Sequence, residues 1–228
     1  MRTLVIGDIH GCWNEFQDLL DKAGVTSDDQ IIAIGDLVNR GPKSKKVLNF
    51  FRKGKHPNSQ VILGNHERGH INTYDMGKKP SVSMMQTRWQ LGDNYNTAIE
   101  YMRTMPAYIE LPDALLVHAY YEAGVSLEDQ RPDVITGSMV AEKYLAETYD
   151  CPWYERYDRD EPLICGHRDW SGDMTPFIYK DRVFSIDTRC VYGGSLTGLW
   201  LPDFTLVSVP SREDHWLAFR ERWTRNPR

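Results

Sequence analysis

The chain has 228 residues, which fits one large domain or two small ones and is long enough for a sizeable core. Hydrophobic residues make up 41% of it and charged residues 26%, an ordinary globular composition; the formal net charge of -5 speaks against a general nucleic-acid binder, which is usually basic. An anionic substrate would then need a local positive site, built from metal ions or a few arginines.

In chain order, Leu4 to Ile6 predicts a short strand, and Phe16, Leu19 and Leu20 predict a helix over Trp13 to Ala23 that stops at Gly24. Ile31 to Ile34 predicts a second buried strand, closed by Gly35-Asp36, and a helix follows from about Pro42 to Phe51. Val61 to Leu63 predicts a third strand, closed by Gly64-Asn65-His66. This alternation favours βαβ units with parallel strands. Tyr74 to Gln90 is polar and reads as a surface excursion that shapes substrate access. Thr97 to Met105 predicts a helix. Tyr108 to Leu111 and Ala114 to Val117 predict a strand pair turned by Pro112-Asp113. Val134 to Tyr149 reads as one helical region and Pro162 to Gly166 as a strand ending in His167. Phe177–Tyr179, Val183–Ile186, Leu196–Trp200 and Thr205–Val209 read as an antiparallel meander. The expected architecture is a single α/β domain over residues 1–210, with two sheets packed together and helices outside, followed by a charged, partly mobile tail over 211–228.

None of the four cysteines (Cys12, Cys151, Cys165 and Cys190) sits in a C-x-x-C pair, and no apolar stretch has the length of a signal core or a membrane span. The expectation is a cytoplasmic protein with reduced thiols and no membrane contact. Nothing in the sequence bears on an oligomeric state.

The strand ends carry the chemistry. Asp8 and His10 follow the first strand, Asp36 the second, Asn65 and His66 the third, and His118 and His167 close two later ones. Asp36 lies 28 positions after Asp8 and Asn65 lies 29 after Asp36, about one βαβ unit each, so the side chains are expected to meet at the crevice where parallel strands end. Two aspartates, an asparagine and three histidines suit Mn, Fe or Zn, and six ligands suit two ions that share a carboxylate. Asp36, on the middle strand, is the natural bridge. Such a pair clamps phosphoryl oxygens and activates water. A lone Asp-x-His is more often a turn or a helix cap, but four histidines that each follow an apolar run make that account of the whole set improbable. His56, His70 and His215 lie outside these signatures and are assigned nothing.

"GDIHG", "GDLVNRGP", "GNHE", "LLVHA", "ICGH" and the closing "IDTRCVYGGSLTGLWL" together resemble the calcineurin-like metallophosphoesterase superfamily. Their order resembles its phosphoprotein phosphatase branch, which includes bacterial and phage serine/threonine phosphatases and symmetrical diadenosine tetraphosphatases. The resemblance runs from about Leu4 to Val209. It implies the α-β-β-α sandwich of that family and a centre of two divalent ions, Mn first and Fe or Zn as alternatives. Asp8, His10 and Asp36 would hold one ion, and Asp36, Asn65, His118 and His167 the other. A metal-bound hydroxide would attack the phosphorus, His66 would protonate the leaving oxygen, and Arg40 and Asn65 would bind phosphate. A second phosphate-binding arginine is expected between His118 and His167: Arg156 is the candidate, with Arg131 and Arg159 as competitors.

Three departures stand out. Asn39 replaces an Asp that normally supports the catalytic histidine, with Glu67 as an alternative support. Leu63 stands where protein phosphatases often have Arg, as in the tetraphosphatases, although Glu67 replaces the tetraphosphatases' usual Asp. Arg189 occupies a position usually filled by Gly. The substrate expected on these grounds is a phosphorylated serine or threonine protein or a small phosphoester. The alternative is a dinucleoside polyphosphate, for which Tyr74 and Trp89 are available to stack on a base. A non-catalytic phosphate-binding module ranks third.

Overall fold

Alternation of side chains along short, wholly apolar strands sets the layers of this protein. In the computed structural model, which describes residues 1–225, the elements in chain order are β1 (Thr3–Ile6), α1 (Trp13–Ala23), β2 (Gln30–Ala33), α2 (Ser44–Arg52), β3 (Ser59–Val61), α3 (Asn65–Asp75), α4 (Val82–Leu91), α5 (Tyr95–Arg103), β4 (Tyr108–Glu110), β5 (Leu115–Val117), α6 (Pro132–Ile135), α7 (Met139–Thr148), β6 (Leu163–Cys165), β7 (Phe177–Tyr179), β8 (Val183–Ser185), β9 (Ser195–Leu201), β10 (Thr205–Pro210) and α8 (His215–Arg225). They form two five-stranded sheets, ordered β10-β9-β1-β2-β3 and β4-β5-β6-β8-β7.

Successive strand residues point to opposite faces. Leu4 and Ile6 of β1, with Ile31 and Ala33 of β2, pack outward against Phe16, Leu19, Val47 and Leu48 of α1 and α2. Val5 and Ile32 point inward and meet Leu116, Ile164 and Phe184 of the other sheet. Leu115, Val117, Leu163 and Cys165 face outward again, against Val134, Ala141 and Leu145 of α6 and α7. Strands buried on both faces read as continuous apolar runs because neither side meets water. The result is the α-β-β-α sandwich expected from the sequence.

β1, β2 and β3 run parallel to one another, and so do β5, β6 and β8. Their carboxyl ends open onto one rim, which is the fact that positions the site.

Four local expectations change. The meander is divided: β7 and β8 form a hairpin in the second sheet, while β9 and β10 form one in the first, with β9 antiparallel to β1. Extended segments with short turns look alike in sequence whichever sheet they join. The polar stretch 74–90 contains the end of α3 and all of α4. Ser81 caps α4, its hydroxyl accepting from Met84 N at 3.4 Å, and Gln86 and Thr87 of α4 are buried against the loop after β2. That helix is anchored by polar tertiary contacts, so it lacks an apolar stripe. The region 134–149 is two helices parted by Gly137, whose positive φ of +81° suits glycine. A Cβ there would lie 2.8 Å from the His167 ring. Finally, residues 211–225 are packed: Arg212 N donates to Glu15, His215 pairs with Glu15 at 2.8 Å, and Trp223 lies 5.0 Å from Trp89, centroid to centroid. The tail expected to be mobile thus carries a docked helix, and positions 226–228 lie outside the described residues.

Candidate metal centre

The rim gathers the residues singled out from the strand ends. His10 Nε2 lies 3.5 Å from Asp36 Oδ2 and 3.9 Å from Asp8 Oδ2. His118 Nε2 lies 3.5 Å from Asp36 Oδ1 and 3.1 Å from Asn65 Oδ1. His167 Nδ1 lies 3.0 Å from the same Asn65 oxygen, and its backbone N–H donates to Asp8 Oδ1 at 3.1 Å. Donor atoms of His10, Asp36 and His66 fall within 4.8 Å of one another, as do those of Asp36, His118 and His167. Asp36 is common to both groups.

The backbone is bent to make this happen. His10, Asp36, Asn39, Arg40 and His167 all have positive φ, between 45° and 73°. Such conformations cost about 1–3 kcal/mol each for non-glycine residues and persist where surrounding contacts overdetermine them. Glu67 supplies part of that determination. Its carboxylate accepts from the backbone N–H groups of Asp36 and Leu37 at 2.9 Å and of Val38 at 3.2 Å. Glu67 therefore holds the Asp36 loop and does not support His66. Burial, and then the Asp36 charge, push its carboxyl up to about 7.

The protonation pattern suits cation binding. His10 Nδ1 faces the Val38 carbonyl at 2.8 Å and His118 Nδ1 faces the Ile34 carbonyl at 2.6 Å. A carbonyl only accepts, so both rings donate there from Nδ1 and direct Nε2 toward the Asp36 carboxylate. Burial, with the Arg40 charge, brings His10 down to about 3, and burial with the His118 charge does the same to His167. Burial opposes charge on His118 as well, yet Asp36 and Asp8 together push it up to about 10. The buried carboxylates thus create a demand for positive charge. Asp187, at the tip of β8, sharpens it: after burial itself, the Asp187 charge is the main cause that raises Asp8. Asp187 was not picked out from the sequence. The signal was present, since Ile186-Asp187 is one more apolar run closed by a carboxylate. Carboxylate, amide oxygen and imidazole, without thiolate, fit a pair of divalent cations.

A hydrogen-bonded chain runs behind His66. Asn39 Oδ1 accepts from Thr87 Oγ1 at 2.8 Å and lies 2.8 Å from His70 Nε2. Two donors on that oxygen fix the amide orientation, so Asn39 Nδ2 donates to His66 Nδ1, 2.6 Å away. His70 Nδ1 in turn lies 3.0 Å from the Tyr95 hydroxyl, which donates to it. Burial keeps His70 neutral, at about 4, and holds His66 well below its ordinary value. His66 therefore carries its proton on Nε2, 3.9 Å from Asp36 Oδ2 and facing the cluster. His70, given no role from the sequence, is the second imidazole of this chain.

A cleft of about 570 Å³ opens over the cluster, lined among others by Arg40, Asn65, Lys143, His167, Arg168 and Arg189. The arginines expected between His118 and His167 do not reach it. Arg156 is half exposed and paired with Asp150, Arg131 pairs with Asp133, and Arg159 with Glu110 and Glu161. Arg168 and Arg189 line the cleft instead. Both follow directly on strand-end motifs, one after His167 and one after Asp187-Thr188, and that adjacency was the available signal. Tyr74 and Trp89, offered for base stacking, do not line the cleft either: Tyr74 lies 6.2 Å from Tyr95 and Trp89 packs on Trp223.

Known proteins resemble this chain in sequence and fold. The calcineurin-like phosphoesterase family model matches residues 1–183. An asymmetrical bis(5'-nucleosyl)-tetraphosphatase from Halalkalibacterium halodurans is 29% identical over 239 residues, taking in 93% of this chain and 95% of the relative. A symmetrical bis(5'-nucleosyl)-tetraphosphatase from Shewanella sp. is 30% identical over 171 residues, 73% of this chain and 62% of the relative. A crystal structure provisionally designated a diadenosine tetraphosphatase superposes with a TM-score of 0.74 at 26% identity, covering 92% of this chain and 93% of the other. With a family match over most of its length, on a fold whose strand tips carry the matching motifs, the chain belongs to the calcineurin-like phosphoesterases and is a phosphoric ester hydrolase.

Proposed function

We propose that the chain hydrolyses dinucleoside tetraphosphates, cutting a phosphoanhydride bond. The observation that carries this reading is the cleft: Arg40, Lys143, Arg168 and Arg189, with Glu142 among them, line one space over the cluster, more cationic groups than a single phosphate needs. The tetraphosphatase names of relatives that span nearly the whole chain support it. The serine/threonine phosphoprotein reading favoured by the sequence alone gives way to its alternative, because no curated relative named above is a protein phosphatase.

Members of this family work with two divalent metal ions. Asp8, His10 and Asp36 would hold one, and Asp36, Asn65, His118 and His167 the other; manganese is the metal proposed. When bound, such a pair supplies an activated nucleophile from water and neutralises charge on phosphoryl oxygens. The chain's own groups do the rest. Arg40 presents a planar fork of N–H donors matched to phosphate oxygens. His66, held as the Nε2–H tautomer by Asn39, gives that proton to the leaving phosphate oxygen as the P–O bond breaks. Asn65, between His118 and His167, keeps both rings oriented.

The test compares diadenosine tetraphosphate, a phosphoserine peptide and p-nitrophenyl phosphate side by side with added Mn2+. The expected result is a kcat/KM for the tetraphosphate at least about tenfold above that for either monoester. Chromatography of the products then separates ATP plus AMP from two ADP. Preference for the phosphopeptide would overturn the reading. Turnover of none of the three would revive a phosphate-binding module.

A further inference from the structure

Resting on the dinucleoside tetraphosphate reading, we infer that Arg189 is a specificity-determining residue that engages a phosphate of the chain beyond the one under attack. Four cations line the cleft, and two of them are engaged elsewhere: Arg168 pairs with Glu142, and Lys143, largely exposed, lies 3.5 Å from Glu147. Arg40 and Arg189 form no ion pair among the described residues. These two guanidinium groups share one support. Their central carbons lie 5.4 and 5.0 Å from the centroid of the Tyr192 ring. An aromatic face attracts a cation without neutralising it, so Tyr192 fixes where the two charges sit without consuming N–H donors, which leaves those of Arg189 for anion oxygens.

The backbone is a second observation. Arg189 has φ +60° and ψ +39°, a conformation that favours glycine. It is held there by tight turn bonding: Arg189 N donates to Asp187 Oδ1 at 2.9 Å, and the Arg189 carbonyl accepts from Tyr192 N at 2.9 Å and Gly194 N at 3.1 Å. None of these contacts uses the arginine side chain, and glycine would serve the turn better. Among the described residues the guanidinium forms no hydrogen bond or ion pair; it lies against the Tyr192 face, with its charge also felt by Asp187. Arg40 stands next to His10, with Nη1 2.7 Å from His10 Nε2, so it belongs with the phosphate at the cluster. Arg189 then meets the next part of a substrate long enough to pass both. A monoester has no phosphate to offer there; a polyphosphate chain does.

The experiment measures Arg189→Gly and Arg189→Lys beside the wild type, all loaded with Mn2+, on diadenosine tetraphosphate and on p-nitrophenyl phosphate, with inorganic tripolyphosphate as inhibitor. Glycine accepts the backbone conformation, so the variant folds, which circular dichroism checks. The expected result in Arg189→Gly is a fall of about tenfold or more in the ratio of kcat/KM for the tetraphosphate to that for the monoester, carried mainly by KM. Inhibition by tripolyphosphate should weaken in parallel, and Arg189→Lys should recover part of both. A ratio and an inhibition constant within about twofold of wild type would overturn the role of Arg189 while leaving the tetraphosphatase reading intact. A wild type that hydrolyses the monoester but not the tetraphosphate would remove the parent reading, and this inference with it.

Discussion

At position 39 an amide stands between two imidazoles. An aspartate there would accept a hydrogen bond from His66 Nδ1–H and favour the charged form of the ring; the amide, with its oxygen already occupied by Thr87 and His70, can only donate. His66 is thereby a neutral acid with one defined proton. Removing that donor leaves the tautomer unfixed. Asn39→Ala is expected to lower kcat by about tenfold to a hundredfold with little change in KM, as loss of such orienting partners usually does. Steady-state kinetics on any turned-over phosphoester checks it. The same chemistry explains why the substitution could not be interpreted from sequence: Asn39 marks a departure from a pattern, but only the positions of His70 and Thr87 show which way its amide points.

Among the elements, α8 shows how a charged helix comes to be docked. Its only buried residue is His215, which meets Glu15 of α1 at 2.8 Å and lies 3.3 Å from Glu213. Burial opposes charge on His215, but the two carboxylates prevail and raise it above its ordinary value; Glu15, held by His215 and by Arg212 N against its own burial, is lowered. A raised imidazole stabilises the folded state fully at pH below its unfolded value and loses that contribution as pH climbs through the folded one. Docking of α8 is therefore expected to weaken as pH rises above the ordinary imidazole value and through the raised folded one. Amide exchange of residues 215–225 should accelerate over that range, and Glu15→Gln should flatten the dependence. Charge density after Phe219 made this segment look detached; the anchoring pair joins positions 200 apart, beyond the reach of any local pattern.

For the whole molecule, the two sheets meet through a thin apolar layer, and Ile164 lies in it without solvent exposure. Ile164→Ala removes buried surface and leaves a cavity, with an expected loss of about 2–5 kcal/mol measured by denaturant titration. The rim above that layer adds a ligand-dependent contribution. Chelation is expected to abolish hydrolysis and to lower the melting temperature, because Asp8, Asp36 and Asp187 then share a buried space without a compensating cation. Readdition of Mn2+ at about a hundred times its dissociation constant should restore about 2.7 kcal/mol, and calorimetry with and without the metal reads both effects. By itself, the order of residues determined the α/β class, the parallel strands and the seven side chains at their tips, because period-two alternation and a carboxylate or imidazole directly after an apolar run are local features. The tertiary structure alone decided how the later strands divide between two sheets and that His70 stands behind His66, and it singled out Asp187, Arg168 and Arg189 among the residues that follow apolar runs. Each of those depends on contacts between distant segments, and a sheet edge, a guanidinium's direction or a buried imidazole's partner leaves no periodic trace along the chain.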